Sequence, residues 1–440
     1  MRHFQTSLLI LVLGLFISID GLSQIYKENS PYSYFGIGTM HPSQQALNRS
    51  MGGLSIPYRS PVHINPDNPA SYSGIRFATL ETAFFGNGLW LRNADTTHRT
   101  GTSSISYLNL GFPVGKKGGM SIGLSPYSSI NYDILDEGVL TDTEGNEVVE
   151  QYNFIGTGEV YQVYAGGAYQ VFRFSGDSIR TKSLNVGFNF GYLFGNYDRR
   201  VISYLPQDSY DFGNRSVEQQ SIGGFHWKLG LIYTQQITDK TYLIGGATAT
   251  TQTSLNTETN SFLFRRNQFG VSIDTVSATL ATEGKIKLPS SLGFGLAIQR
   301  PSHWLAGFDI KMTNWQNYST NEVTDDLLIN SIRYSVGVGV TPQPNAIRGF
   351  FQKTNYRFGA YYDSGYLQIN DTNITEFGLT FGVGLPLRPI PKTNLYSKLN
   401  LSFELGQKGT FTNDLLRESF FKFNIGVNVN DIWFIKRKFD

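Results

Sequence analysis

From Arg76 onward, apolar and polar residues alternate with a period of two, the pattern of strands whose two faces meet different surroundings. In the stretch from His303 to Trp315, Ala306, Phe308, Ile310 and Met312 fall on one face, and Gly307, Asp309, Lys311 and Thr313 on the other. Between Ile374 and Leu385, Phe377, Leu379, Phe381 and Val383 oppose Gly378, Thr380, Gly382 and Gly384. Leu399, Leu401, Phe403 and Leu405 oppose Asn400, Ser402, Glu404 and Gly406, and the run from Phe421 to Asn430 repeats the scheme.

A soluble β-sandwich alternates in the same way, so three further features carry the reading. The apolar face persists for about ten residues in strand after strand, the length that crosses a bilayer at a tilt. Aromatic residues gather at strand ends (Trp90, Tyr132, Trp304, Trp315, Tyr318, Trp433, Phe434), where interfacial girdles place them. Connections alternate between short and long. The pattern predicts fourteen strands, near 76–90, 102–114, 118–133, 152–172, 183–197, 216–237, 241–258, 290–300, 303–316, 330–341, 354–368, 373–385, 393–407 and 417–435. With the first strand starting on the periplasmic side, the inner turns include 115–117, 238–240, 300–302 and 387–392. The outer loops include 134–151, 198–215, 259–289, 317–329 and 408–416. The inner 342–353 connection breaks the rule by exceeding the outer 369–372 turn. A strand-like run at 272–287 would make the count odd, so it is assigned to an outer loop. The expected fold is therefore all-β: a transmembrane antiparallel barrel of about 14 strands spanning 76–440.

Two segments stand apart. Residues 1–23 combine a basic start, an apolar run from Leu8 to Ile19 and the small residues Gly21 and Ser23, which is a secretory signal peptide cut near Ser23. The run is shorter than the roughly 20 apolar residues of a membrane anchor. Residues 24–75 are rich in proline and lack sustained alternation. A fourteen-strand barrel is too wide for its own side chains to fill, and glycines on the inward faces leave room for another backbone. The 24–75 segment is accordingly expected inside the lumen as a plug. The inward charges Asp309, Lys311, Arg333, Arg357 and Glu404 either pair with it or keep the lumen polar.

Composition narrows the chemistry. The chain has 440 residues, 16% charged and 14% aromatic, with 47 Gly and no Cys. Its mean hydropathy lies below zero, which excludes a polytopic helical membrane protein. The absence of Cys removes disulfides, thiol catalysis, Cys-type metal sites and lipoprotein acylation. A formal net charge of +2 without basic clusters gives no nucleic-acid footprint. No G-x-S-x-G elbow or H-E-x-x-H motif occurs, and Gly111–Lys116 has the wrong spacing for a phosphate loop. The six His residues are scattered. A Ser–His pair distant in sequence would escape such a search. The chain is read as a non-enzyme, with no cofactor and no metal.

Two features bear on passage of a solute. Pro126 sits inside the third strand, and a proline without an N–H for the ladder implies a bulge or kink there. Either it bends the strand at the membrane edge or it makes a functional opening. The 259–289 loop carries Phe262, Phe264, Phe269, Val271 and Ile273. An outer loop so apolar folds onto a greasy ligand groove or a protein partner.

The stretch from Leu288 to Trp304, followed by Ala306-Gly307-Phe308-Asp309 and by Thr313-Asn314-Trp315, resembles a strand–turn–strand pattern of the long-chain fatty-acid transporters of the outer membrane. Ile64–Ala70, with Asn65, Pro66, Asn68 and Pro69, is similar to the "NPA" segment of that family's hatch, and Met51-Gly52-Gly53-Leu54 precedes it. The Asn29–Gly38 start, with Tyr34 and Phe35, resembles a branch of the family found in Bacteroidota. The resemblance implies a hatch in the lumen and outer loops that first catch a hydrophobic molecule. It also implies a kink in the third strand, matched by Pro126, through which the molecule leaves sideways into the membrane. It carries no substrate identity, because no ligand-contacting side chain maps onto 198–215 or 259–289. The same barrel type also serves without transport, as a carrier subunit of the type IX secretion system.

The sequence thus supports passive uptake of a fatty-acid-like hydrophobic solute at the outer membrane, with outer-membrane lipid as its surroundings. The alternative is a structural or carrier subunit of an outer-membrane protein complex. A general porin is disfavoured by the expected plug.

Overall fold

A computed structural model describes residues 30–93, 96–141, 147–176, 179–204, 213–267, 271–346, 349–389 and 396–432. Residues 1–23, expected to be a signal peptide, and Phe269, Trp433 and Phe434 lie outside the described residues. Fourteen strands form the wall: β1 (Ala78–Arg92), β2 (Thr97–Val114), β3 (Gly118–Thr141), β4 (Glu147–Gly176), β5 (Ile179–Tyr204), β6 (Gly213–Thr238), β7 (Thr241–Thr250), β8 (Ser291–Arg300), β9 (Trp304–Thr313), β10 (Ser331–Val340), β11 (Asn355–Asp363), β12 (Glu376–Pro389), β13 (Tyr396–Gly409) and β14 (Arg417–Asp431). Neighbours in the chain pair antiparallel, and β1 closes the ring on β14 from Ala78↔Asp431 to Arg92↔Arg417. The all-β, fourteen-strand expectation holds.

The alternation has the predicted sense. On β9, Phe308 and Met312 are exposed to the outside while Asp309 is buried inside. Phe377, Leu379 and Phe381 on β12 likewise face out, and Thr380 faces in. Closure of β1 on β14 leaves the sheet without a free terminal strand, the condition for crossing a membrane with strands.

Several boundaries differ from expectation. The segment read as one strand at 241–258 breaks at Thr251–Gln252, because its two halves have different partners. The inner half, β7, is followed in the wall by β8, with Ser291 opposite Thr250. The outer half, Thr253–Arg266, leaves β7 and pairs with the top of β6, and the run at Ser272–Leu288 folds back on it as a hairpin. That run lies outside the fourteen-strand wall. Strands β3 to β6 also extend well beyond the apolar layer, so most of 134–151 and part of 198–215 are ladder rather than loop. The polar alternation of those extensions is invisible to a search for apolar faces.

Three aromatics assigned to the girdle point inward instead. Tyr132, Trp315 and Tyr318 are buried in a cluster with Tyr32, Ile37, Leu193, Tyr197 and Leu255 that fills the outer half of the lumen. Trp90 and Trp304 remain at the outside surface. Tyr132 follows the β3 bulge at Pro126–Ser128, and Trp315 and Tyr318 lie in the turn past the end of β9, so spacing along a strand did not decide their direction.

Candidate functional site

Residues 30–77 run along the inner face of the wall from the outer rim to the inner end, where β1 begins. At the rim, the Ser30 hydroxyl donates to Glu418 at 2.5 Å and the Tyr32 hydroxyl donates to the Leu416 carbonyl. Midway, a four-residue helical turn (Ala46–Arg49) buries Arg49, which donates to Asn424 and to the carbonyls of Pro42 and Gln44. Deeper still, Ser55 and Ile56 donate their backbone N–H groups to the Asp309 carboxylate at 2.7 and 2.9 Å. The segment ends in a 3₁₀ turn (Pro69–Gly74) capped by Asn68. Wall glycines allow this close approach: a Cβ at Gly359 would overlap Met51 and Gly52, and one at Gly119 would overlap the Tyr72 carbonyl.

The polar core of the segment is Asp67. Its carboxylate accepts from Ser43 (2.7 Å), Gln44 (3.0 Å) and Ser55 (2.5 Å), and pairs with Lys228 of β6 at 3.2 Å. Burial opposes its charge, but Lys228, Lys311 and the Ser55 and Ser43 hydroxyls hold the pKa far below the ordinary carboxylate value. Near the inner end, the His63 ring meets Glu81 of β1 at 2.9 Å, and Asn428 donates to the same carboxylate.

The wall is incomplete in one place. β2 and β3 are paired only from Val114↔Gly118 to Leu108↔Leu124. Beyond Leu124, β3 carries Pro126, and its register with β4 slips between Pro126 and Ser128. A residue without an N–H and a bulge at the same point turn the strand away from its neighbour. The exposed edge of β3 is taken by the N-terminal segment instead. Thr39 and Met40 pair with Ser129 and Ser128, Ser30 donates to the Asn131 carbonyl, and His41 donates its N–H to the Tyr127 carbonyl. The His41 ring also lies 3.0 Å from the Ser129 hydroxyl. Burial, reinforced by the positive charges of Arg49 and Lys422, pushes the His41 imidazole down to about 4.

Behind this seal lies a lumenal cavity of about 300 Å³. Pro126, Tyr127 and Met40 border it on one side, and Lys311, Arg333 and Glu404 on the other. Above it, at the outer rim, an apolar groove of about 270 Å³ is formed by Tyr34, Phe35, Ile134, Phe154, Ile369 and Leu415. Tyr34 packs edge-on against Phe35, Tyr132 and Phe154, with ring centroids 5.3, 5.2 and 6.5 Å away.

The sequence-predicted residues separate by position. Tyr34 and Phe35 line the rim groove, and Pro126 borders the cavity at the gap. Asn65, Pro66, Asn68 and Pro69 instead hold the segment together. Asn65 donates to the Ser55 and Tyr58 carbonyls, Asn68 donates to the Ile56 and Leu231 carbonyls, and the Pro66 carbonyl accepts from Asn189. Pro69 starts the terminal turn. Of the inward charges, Asp309 binds the segment directly. Arg333 pairs within the wall with Asp363 (3.7 Å) and lies over the Tyr361 ring, and Glu404 accepts from Tyr361 and Lys422. Arg357 donates to Asn355 of its own strand. Phe262 and Phe264 stack on each other within the outer hairpin, away from the cavity.

Sequence reading missed Asp67, His63 and Glu81. Each falls in a polar position that periodicity marks as merely inward or irregular. The Asn-rich inner face of β14 (Asn424, Asn428, Asn430) was the available signal for a buried hydrogen-bonded partner.

A sequence profile of the BamG family matches residues 6–440. The chain belongs to the BamG family. No curated protein matches it. Among solved structures, this BamG-family barrel is similar to a Pseudomonas aeruginosa FadL homologue, with 10% identity, a TM-score of 0.56, and 90% of this chain and 100% of that one covered. It is also similar to the Pseudomonas putida toluene transporter TodX, at 17% identity and TM-score 0.52, over 88% and 98% of the two chains. The Ralstonia pickettii toluene transporter TbuX gives 13% identity and a TM-score of 0.52, over 89% and 98%. These likenesses establish the closed antiparallel β-barrel fold. The fatty-acid-transporter resemblance is therefore one of fold, and the family itself is a differently named one.

Proposed function

We propose that this BamG-family barrel admits hydrophobic small molecules at the outer membrane and releases them sideways through the wall between β2 and β3. The observation that carries the reading is the parting of these strands beyond Leu108 and Leu124, beside the Pro126 bulge. A wall that must only exclude water gains nothing from leaving a ladder unpaired, since each buried orphan group costs free energy. An apolar molecule first rests in the rim groove at Tyr34 and Phe35. It then passes when Thr39–His41 leave the β3 edge, and partitioning into lipid supplies the drive. Residues 24–75 act as the hatch. The toluene-transporter function named for TodX and TbuX fits this reading.

A second reading, a docking subunit of an outer-membrane complex, is favoured by the outer hairpin. Ser272–Glu283 are exposed on both faces, and Val271, Ile273, Val276 and Leu280 are each about half exposed or more. Native mass spectrometry on protein extracted in a mild detergent separates the two. A bound hydrophobe absent from a control barrel is the expected result. Stoichiometric protein partners on an otherwise empty barrel would overturn uptake in favour of docking.

A further inference from the structure

The inner end of the lumen holds a second cavity, of about 180 Å³, between the N-terminal segment and strands β8 to β11 and β13. Four cationic side chains line it: Arg59, Arg300, Arg357 and Lys398. Its lining contains no Asp or Glu. None of the four forms an ion pair among the described residues.

Arg357 is the decisive group. It is 1% exposed, its Nε donates to Asn355, and both terminal nitrogens are buried without a hydrogen-bond partner. A buried guanidinium with its fork unused is costly, because desolvation is offset only when the charge is paired and its donors are satisfied. The Nε of Arg59 is buried and unpartnered as well. Glu81, the carboxylate whose charge reaches Arg357, is already engaged by His63, Ile64 and Asn428. Arg357 lines the cavity with its Nη2 beside Gly384 of β12, and with no carboxylate in the lining its unused planar donors match what a carboxylate or phosphate accepts. Leu47, Met51, Val62 and Leu305 supply an apolar part of the wall, and Ser60, Gln299, Thr341 and Asn355 a polar part.

We propose that this cavity is a binding site for an oxyanion, a carboxylate or phosphate group held by Arg357 with Lys398 and Arg59. The apolar part of the wall, at Leu47, Met51, Val62 and Leu305, accommodates a short hydrocarbon attached to it. The site faces the periplasmic end and lies apart from the β2–β3 gap, so it stands whether or not the barrel transports.

The test uses the full chain purified in dodecyl maltoside, titrated calorimetrically with inorganic phosphate, acetate and decanoate. Saturable binding of at least one probe is expected, weakened about tenfold or more in both Arg357→Gln and Lys398→Gln, as the loss of a charge-assisted contact requires. Phosphate alone would assign a phosphate group, acetate and decanoate equally a bare carboxylate, and decanoate preferentially an acidic amphiphile. Folding of each variant is checked by its mobility on unheated gels. If Arg357→Gln does not fold, the less buried Lys398→Gln carries the test. Absence of binding by all three probes, or binding unchanged in the folded variants, would overturn the proposal.

Discussion

At the scale of single residues, contacts between the N-terminal segment and the wall hold the barrel's interior together. Gly359 sits where Met51 and Gly52 press their backbone against β11. Gly359→Ala should destabilise the barrel by about 1–3 kcal/mol, the usual penalty for overpacking, read as a lower urea midpoint in refolding from detergent. His41 makes a second prediction. Its folded pKa of about 4 lies below the ordinary histidine value of 6.5. Its contribution is therefore fully present above about pH 6.5 and is lost as the pH falls toward 4, because a released imidazole takes up the proton that a docked one refuses. Hydrogen exchange at Thr39–His41 should speed up, relative to the rest of the segment, between pH 7 and pH 5. His41→Gln should remove that dependence. An unchanged pH response in the variant would place the sensitivity elsewhere. None of this was legible in the sequence, where His41 is one of six scattered imidazoles. A buried environment is made largely by partners far along the chain, here Ser129 and Lys422, beside the nearby Arg49.

At the scale of elements, the wall was legible and its extensions were not. Strands such as β8, β9 and β12 alternate apolar with small or polar residues, because lipid on one side and lumen on the other impose a strict two-residue period. Above the membrane both faces meet water or protein, and the constraint vanishes. The hairpin of Thr253–Arg266 and Ser272–Leu288 consequently reads as a loop with apolar spots. Its role as an appendage can be checked. β7 already pairs with β8 directly, and Leu255, Ile286 and Leu288 at the base of the hairpin belong to the lumenal core, so replacing only residues 260–281 with a short glycine-rich turn should leave the barrel folded, with unaltered gel mobility. If the docking reading holds, partner proteins should be lost in the same variant. A deletion that prevents folding would show that the hairpin supports the wall instead. The kink in β3 was legible through Pro126 alone. That β2 and β3 part there was not, because strand pairing leaves no local mark in either strand.

At the scale of the whole molecule, a wide ring of fourteen strands has been filled by a segment that touches it from rim to base. The outer half is packed by aromatics and the inner half by buried hydrogen bonds, leaving, among the described residues, one unpaired stretch of wall covered by Ser30 and Thr39–His41. The central claim is that this cover opens. The natural chain has no Cys, so Met40→Cys with Ser128→Cys, opposite each other in the seal, introduces a single pair of thiols. The measurement is uptake of a fluorescent hydrophobic reporter by cells carrying that double variant as their only copy, oxidised and then reduced. The account predicts that uptake falls when the disulfide forms and recovers on reduction, while each single-Cys variant behaves as the natural protein throughout. Uptake that proceeds equally well with the seal locked shut would contradict it.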